Sequence, residues 1–110
     1  MSLCVEIFPR AESDLAGQYD WYLEHADTEI AERYLKAFDV TVMTLTSHPG
    51  LGRVRKFRDP RLASIRTYPL ETPFDKHLVF HRANFTTLSI VRVMHGARDL
   101  PRRLLEREGS

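Results

Sequence analysis

Midway along this chain the hydrophobic period changes, and that change constrains the fold more than any other feature. From residue 11, apolar or aromatic residues recur at helical spacing: Ala11, Leu15, Tyr19, Tyr22 and Ala26, one stripe on a helix of roughly four turns. Pro9 suits the first turn of such a helix, and Glu12 and Asp14 sit where its dipole favours acids. Asp27 and Thr28 are both competent N-caps for a second helix. Its stripe runs through Ala31, Tyr34 or Leu35, Phe38, Val42 and Leu45 and stops at His48-Pro49-Gly50. So short a joint folds the two helices back on one another as a hairpin.

Beyond residue 61 the period is that of strands. Leu62–Leu70, Lys76–Arg82 and Thr86–His95 read as strands, the last two joined by a tight turn near Ala83-Asn84. Leu3–Phe8 reads as an opening strand. Pro101 opens a short terminal helix with Leu100, Leu104 and Leu105, stopped by Gly109. The order is β-α-α-β-β-β-α. It predicts an α+β fold: an antiparallel sheet with the helical hairpin packed on one face and a short C-terminal helix. At 110 residues, with neither repeat nor linker, residues 1–110 are expected to form a single domain.

Charge is divided between the halves. Residues 1–50 carry three basic against nine acidic residues, a net −6, and residues 51–110 carry thirteen against six, a net +7. Such asymmetry suits a polyanionic partner, nucleic acid or an acidic protein segment, although two halves of opposite sign also neutralise one another across a fold. No apolar run approaches the ~20 residues of a membrane span. The N-terminus lacks the basic start and long apolar stretch of a secretory signal. Cys4 is the only cysteine, so no internal disulfide forms, a cysteine-built metal site is not expected, and a reducing cytoplasm fits. In its apolar run Cys4 reads as a buried packing residue. No cofactor motif is present. The densest basic stretch, Arg53 to Arg61, holds five positive charges around Phe57, a pattern that suits nucleic acid, an acidic peptide or simply a solvated loop.

The element order, with a hairpin ending in His48-Pro49-Gly50-Leu51-Gly52-Arg53, resembles the RelE/ParE superfamily of toxins from type II toxin–antitoxin systems. Ile65-Arg66, the strand Lys76-His-Leu-Val-Phe-His-Arg82, and Val91 to Asp99 with its His95-Gly-Ala-Arg-Asp99 element extend the likeness over nearly the whole chain. The resemblance implies a cytoplasmic toxin, neutralised by a cognate antitoxin with which it forms a hetero-oligomer. RelE-like members cut messenger RNA on the ribosome, whereas ParE-like members inhibit DNA gyrase without catalysis of their own. The two motifs are more typical of the ParE side, and the expectation is a gyrase inhibitor with no catalytic residues, metal or cofactor. The alternatives are a ribosome-dependent endoribonuclease and an inactive member that only binds antitoxin.

RNA cleavage through the 2′-hydroxyl needs a base, an acid and cations around the phosphorane-like transition state. The resemblance implies lysines at two strand positions that here hold Ser64 and Arg66, an arginine at the position of His77, and a tyrosine near the C-terminus. After His95 there is no tyrosine. Histidines can substitute, because imidazole titrates near neutral pH. By strand parity His77 and His81 share a face opposite Leu78 and Phe80. If Leu78 and Phe80 point at the hairpin, both histidines lie on the open face near Arg66, and the ribonuclease set is Arg66, His77 and His81. The same positions, with Arg53, Arg55, Lys56 and Arg98, are the candidate contacts for target or antitoxin. A disordered antitoxin segment can add a strand to a sheet edge or lay a helix in a groove. The acidic outer faces of the helices (Asp20, Glu24, Glu32, Asp39) and the basic sheet face are both available to it, and the sequence does not choose.

Overall fold

The computed structural model describes residues 3–55, 58–60 and 63–96. The first strand, β1 (Cys4–Ile7), leads directly into α1 (Pro9–His25) and α2 (Thr28–Ser47). Pro9 opens α1, and Glu12 lies in its first turn. Of the two possible caps on α2 it is Asp27 that acts, its Oδ1 accepting the Ile30 N–H at 2.8 Å. Only Ala26 and Asp27 separate the helices, and they fold back as a hairpin in which α1 packs on α2. Ala31, Tyr34, Phe38, Val42 and Leu45 form the buried stripe of α2; on α1 Ala11 is buried, Leu15, Tyr19 and Tyr22 are half-buried, and Ala26, expected on the same stripe, is exposed at the C-cap.

Four further strands follow: β2 (Arg53–Val54), β3 (Arg66–Pro69), β4 (His77–Ala83) and β5 (Thr87–His95). They form one five-stranded sheet of order β1-β5-β4-β3-β2. The meander is antiparallel, as expected, but β1 joins β5 in parallel, so the sheet is mixed. Parallel pairing follows from the hairpin: two helices intervene between β1 and the meander, enough chain to return in the same direction. The basic stretch contributes β2, a two-residue strand at the sheet edge where the sequence predicts only loop. The expected C-terminal helix lies outside the described residues.

Both faces of the sheet are apolar. On the hairpin side Val79, Leu88, Ile90 and Val93 pack with Tyr34, Phe38, Leu45, Leu70 and Phe74. On the other side Phe80, Val91 and Met94 form a smaller cluster with Ile65, joined by Leu78 and Phe8. Strand alternation requires this division, since Val79–Phe80 and Val93–Met94 are adjacent pairs whose side chains must point to opposite faces. A bulge breaks the β4–β5 ladder: Phe80 pairs with Arg92 but His81 with Ile90, leaving Val91 as the extra residue. Cys4, expected in the core, is exposed on β1, which forms the sheet's outer edge. Among the described residues no helix is long and apolar enough to cross a membrane.

Candidate functional site

The end of α2 is built by the His48-Pro49-Gly50-Leu51-Gly52-Arg53 element. His48 caps the helix, its N–H reaching the Thr44 carbonyl at 2.9 Å, and its own carbonyl accepts the Leu51 N–H at 3.1 Å. Pro49 and Gly50 are thus the two central residues of a tight turn. Gly52 has φ +97°, and a Cβ there would stand 2.6 Å from the Thr67 carbonyl oxygen. The chain therefore lies flush on β3 only because residue 52 lacks a side chain. That close approach sets Arg53 and Val54 against Thr67 and Arg66 as β2.

Three arginines take different places on this frame. Arg53 is exposed on the edge strand. Arg55 is drawn inward: its N–H meets the Ile65 carbonyl at 2.9 Å, and its Nε donates to Thr67 Oγ1 at 3.0 Å. Arg66, half-buried, donates to the Gly52 carbonyl at 3.3 Å. Lys56 and Arg98, also singled out from the sequence, lie outside the described residues.

The register places Val54, Arg66, His81 and Ile90 in one row across the sheet, from the open edge to the core. His81 is wholly buried in that row, and among the described residues neither ring nitrogen makes a hydrogen bond of good geometry. Burial, reinforced by the Arg66 charge and opposed by the Leu51 backbone, depresses its pKa to about 4. It is therefore neutral at pH 7.

His77 occupies the far end of β4, four positions away and so roughly 13 Å along the strand. It is buried beneath the hairpin, with Nε2 3.2 Å from the Tyr22 hydroxyl and its ring edge-on to Tyr34 and His95. Burial, then the neighbouring His95, lowers its pKa as well. These positions correct the open-face expectation. Val79 faces the hairpin, not Leu78 or Phe80, so His77 lies under the helices and His81 under the Leu51-Gly52 segment that follows α2, neither on a free surface. Arg66 and His81 are neighbours; His77 is not part of their cluster.

At the same end of the sheet a 570 Å³ cleft opens between the Pro49-Gly50 turn, β2–β3 and the β4–β5 turn. Val54, Ser64, Arg66, Arg82 and Phe85 line it. Ser64 holds a left-handed backbone (φ +65°). Phe85, fully exposed, and Arg82 escaped the sequence reading because nothing in the local pattern separates a turn-tip aromatic from a strand residue. Also unforeseen was the pairing of Arg92 with Asp14 on α1, Nε to Oδ2 at 2.7 Å and Nη2 to Oδ1 at 2.8 Å. Asp14 Oδ2 further accepts the Val93 N–H at 3.0 Å. It thereby satisfies β5 where β1, which ends its pairing at Ile90, no longer reaches. Among the described residues no group of three or more His, Cys, Asp or Glu side chains is placed to hold a metal ion.

Residues 5–100 match the family model described as the ParE toxin of the type II toxin–antitoxin system parDE. The fold is similar to a solved structure, a chromosomal ParDE toxin–antitoxin system from P. aeruginosa, with a TM-score of 0.69 at 21% identity. The similarity covers 87% of this chain and 98% of that one. No curated protein matches the sequence.

Proposed function

This chain belongs to the ParE toxin family of type II toxin–antitoxin systems, and we propose that it arrests growth by binding and inhibiting DNA gyrase in the cytoplasm. A cognate antitoxin neutralises it in a hetero-oligomer. The observation that carries this reading is the placement of the two histidines. A general base or acid must come within hydrogen-bond reach of the proton it moves. His81 is enclosed and held neutral, and His77 is packed against Tyr22 under the hairpin. The surface instead offers cations on a rigid frame, Arg53 on the edge strand and Arg66 and Arg82 in the cleft. Such a surface supports inhibition by association with an acidic target rather than by bond cleavage.

The test is a supercoiling assay with purified gyrase and relaxed plasmid, together with detection of the covalent gyrase–DNA cleavage complex. Loss of supercoiling at excess toxin is expected. Intact supercoiling, with codon-positioned cuts in translated messages after induction, would instead establish the endoribonuclease alternative. Neither effect, and no growth arrest, would leave an antitoxin-binding protein without a target.

A further inference from the structure

We propose that the groove between α1 and the His77–His95 end of the sheet binds a small aromatic carboxylate, its acid on Lys76, its ring beside Trp21 and Tyr22, and a ring N–H on the Tyr34 hydroxyl. The inference does not depend on gyrase as the target.

The shape of the groove supplies the first argument. Two pockets, of 370 and 310 Å³, adjoin along α1 and share Gln18, His77 and His95 as walls. Three successive turns of the helix face them, at Asp14, Gln18 and Tyr22. Gly17 lines the second pocket, and a Cβ there would meet nothing within 4 Å. Glycine inside a helix is less stable than alanine, and neither packing nor a positive φ requires it here. Its effect is to leave the groove open.

An unpaired polar group supplies the second. Tyr34 also lines the second pocket; its side chain is wholly buried, and its hydroxyl makes no hydrogen bond among the described residues. A buried hydroxyl without a partner is costly, and a ligand N–H that reached it would remove that cost. The groups around it are already engaged. Tyr22 Oη lies 3.2 Å from His77 Nε2, and the Asp14 carboxylate holds Arg92 and the Val93 N–H.

Charge and the aromatic wall select the ligand. Trp21 is 51% exposed yet held in place, stacked on His25 at 4.4 Å and edge-on to Tyr22 at 5.6 Å between ring centroids. A flat apolar ring therefore meets a wall that needs little ordering. Lys76 is the fixed cation of the first pocket, and no carboxylate lines it. Burial, then the neighbouring His95, lowers the His77 pKa, so that imidazole is uncharged at pH 7. One ammonium complements one carboxylate, whereas a phosphate dianion would lack a second fixed cation.

The test is titration of the full chain with indole-3-acetate, read by amide shifts. A Kd of roughly 0.1–1 mM is expected for a ligand of this size, with shifts centred on residues 17–22, 76–77 and 93–95. The neutral amide and the N-methylated acid should each bind about fivefold more weakly. Lys76→Gln should weaken the acid by the same factor and leave the amide unchanged. Tyr34→Phe should erase the preference for N–H over N-methyl. Gly17→Leu, which fills the pocket from a helix position open to solvent, should abolish binding while keeping the wild-type circular dichroism. No saturable binding below about 10 mM, shifts centred elsewhere, or unaltered affinity in both Gly17→Leu and Tyr34→Phe overturns the proposal. Tighter binding of adenosine monophosphate than of the acid overturns the assignment to a carboxylate.

Discussion

Replacing Gly52 by alanine should damage this protein far more than the same change two residues earlier. At position 52 the backbone φ is +97°, a conformation L-residues rarely adopt, and holding one there costs about 1–3 kcal/mol. The new Cβ would also lie 2.6 Å from the Thr67 carbonyl oxygen and 3.4 Å from His81 Nε2. The nearer atom is β3 backbone, bonded into the sheet, so relief requires the β2–β3 pair to part rather than a side chain to rotate. With part of that overpacking added, the total is about 2–4 kcal/mol, a large share of the 5–15 kcal/mol typical of small domains. At Gly50 a Cβ would meet nothing within 4 Å, and Ala there should be neutral within about 0.5 kcal/mol. Urea denaturation of the two variants, read by far-UV circular dichroism, provides the comparison. A Gly52→Ala loss below about 1 kcal/mol, or a Gly50→Ala loss as large as that of Gly52→Ala, would refute the claim that the second glycine of the motif is a packing requirement.

Other outcomes follow from the buried polar groups. His81 binds a proton in the unfolded chain near its ordinary pKa of 6.5 but in the fold only near 4. Between those values the unfolded state holds more protons, so His81 leaves stability undiminished above about pH 6.5 and destabilises the fold progressively as pH falls toward 4. The span corresponds to about 3 kcal/mol; a urea midpoint series from pH 7.5 to 4.5 should show the decline, and His81→Leu should flatten it. Equal slopes in both proteins would rule out His81 as its source. Asp14→Ala takes the carboxylate from the buried Arg92 guanidinium and the Val93 N–H together, and should cost about 3 kcal/mol. The double variant Asp14→Ala/Arg92→Ala should recover part of that loss in a double-mutant cycle, and additive losses would show that the pair is uncoupled.

Periodicity, caps and turn residues are local, and they were legible without any structure. The stripe of α2, most of that of α1, a cap at Asp27 or Thr28, the helix stop at His48-Pro49-Gly50 and the strands of the meander follow from residues a few positions apart, because side-chain direction in a helix or strand is set by the backbone itself. Alternation also showed that His77 and His81 share a face. It left open which face the hairpin covers, because β4 and β5 carry apolar residues on both sides, Val79 beside Phe80 and Val93 beside Met94. That choice belongs to packing, and it decided the candidate site: both histidines were buried, which lowers their pKa, and the cleft was left to Arg66, Arg82 and Phe85. The same holds for the parallel pairing of β1 with β5 and for Asp14 meeting Arg92 across 78 positions of chain. Neither sequence pattern nor propensity carries information about contacts between segments so far apart. They exist because the folded sheet presents an N–H and a guanidinium within hydrogen-bond reach of a carboxylate on α1.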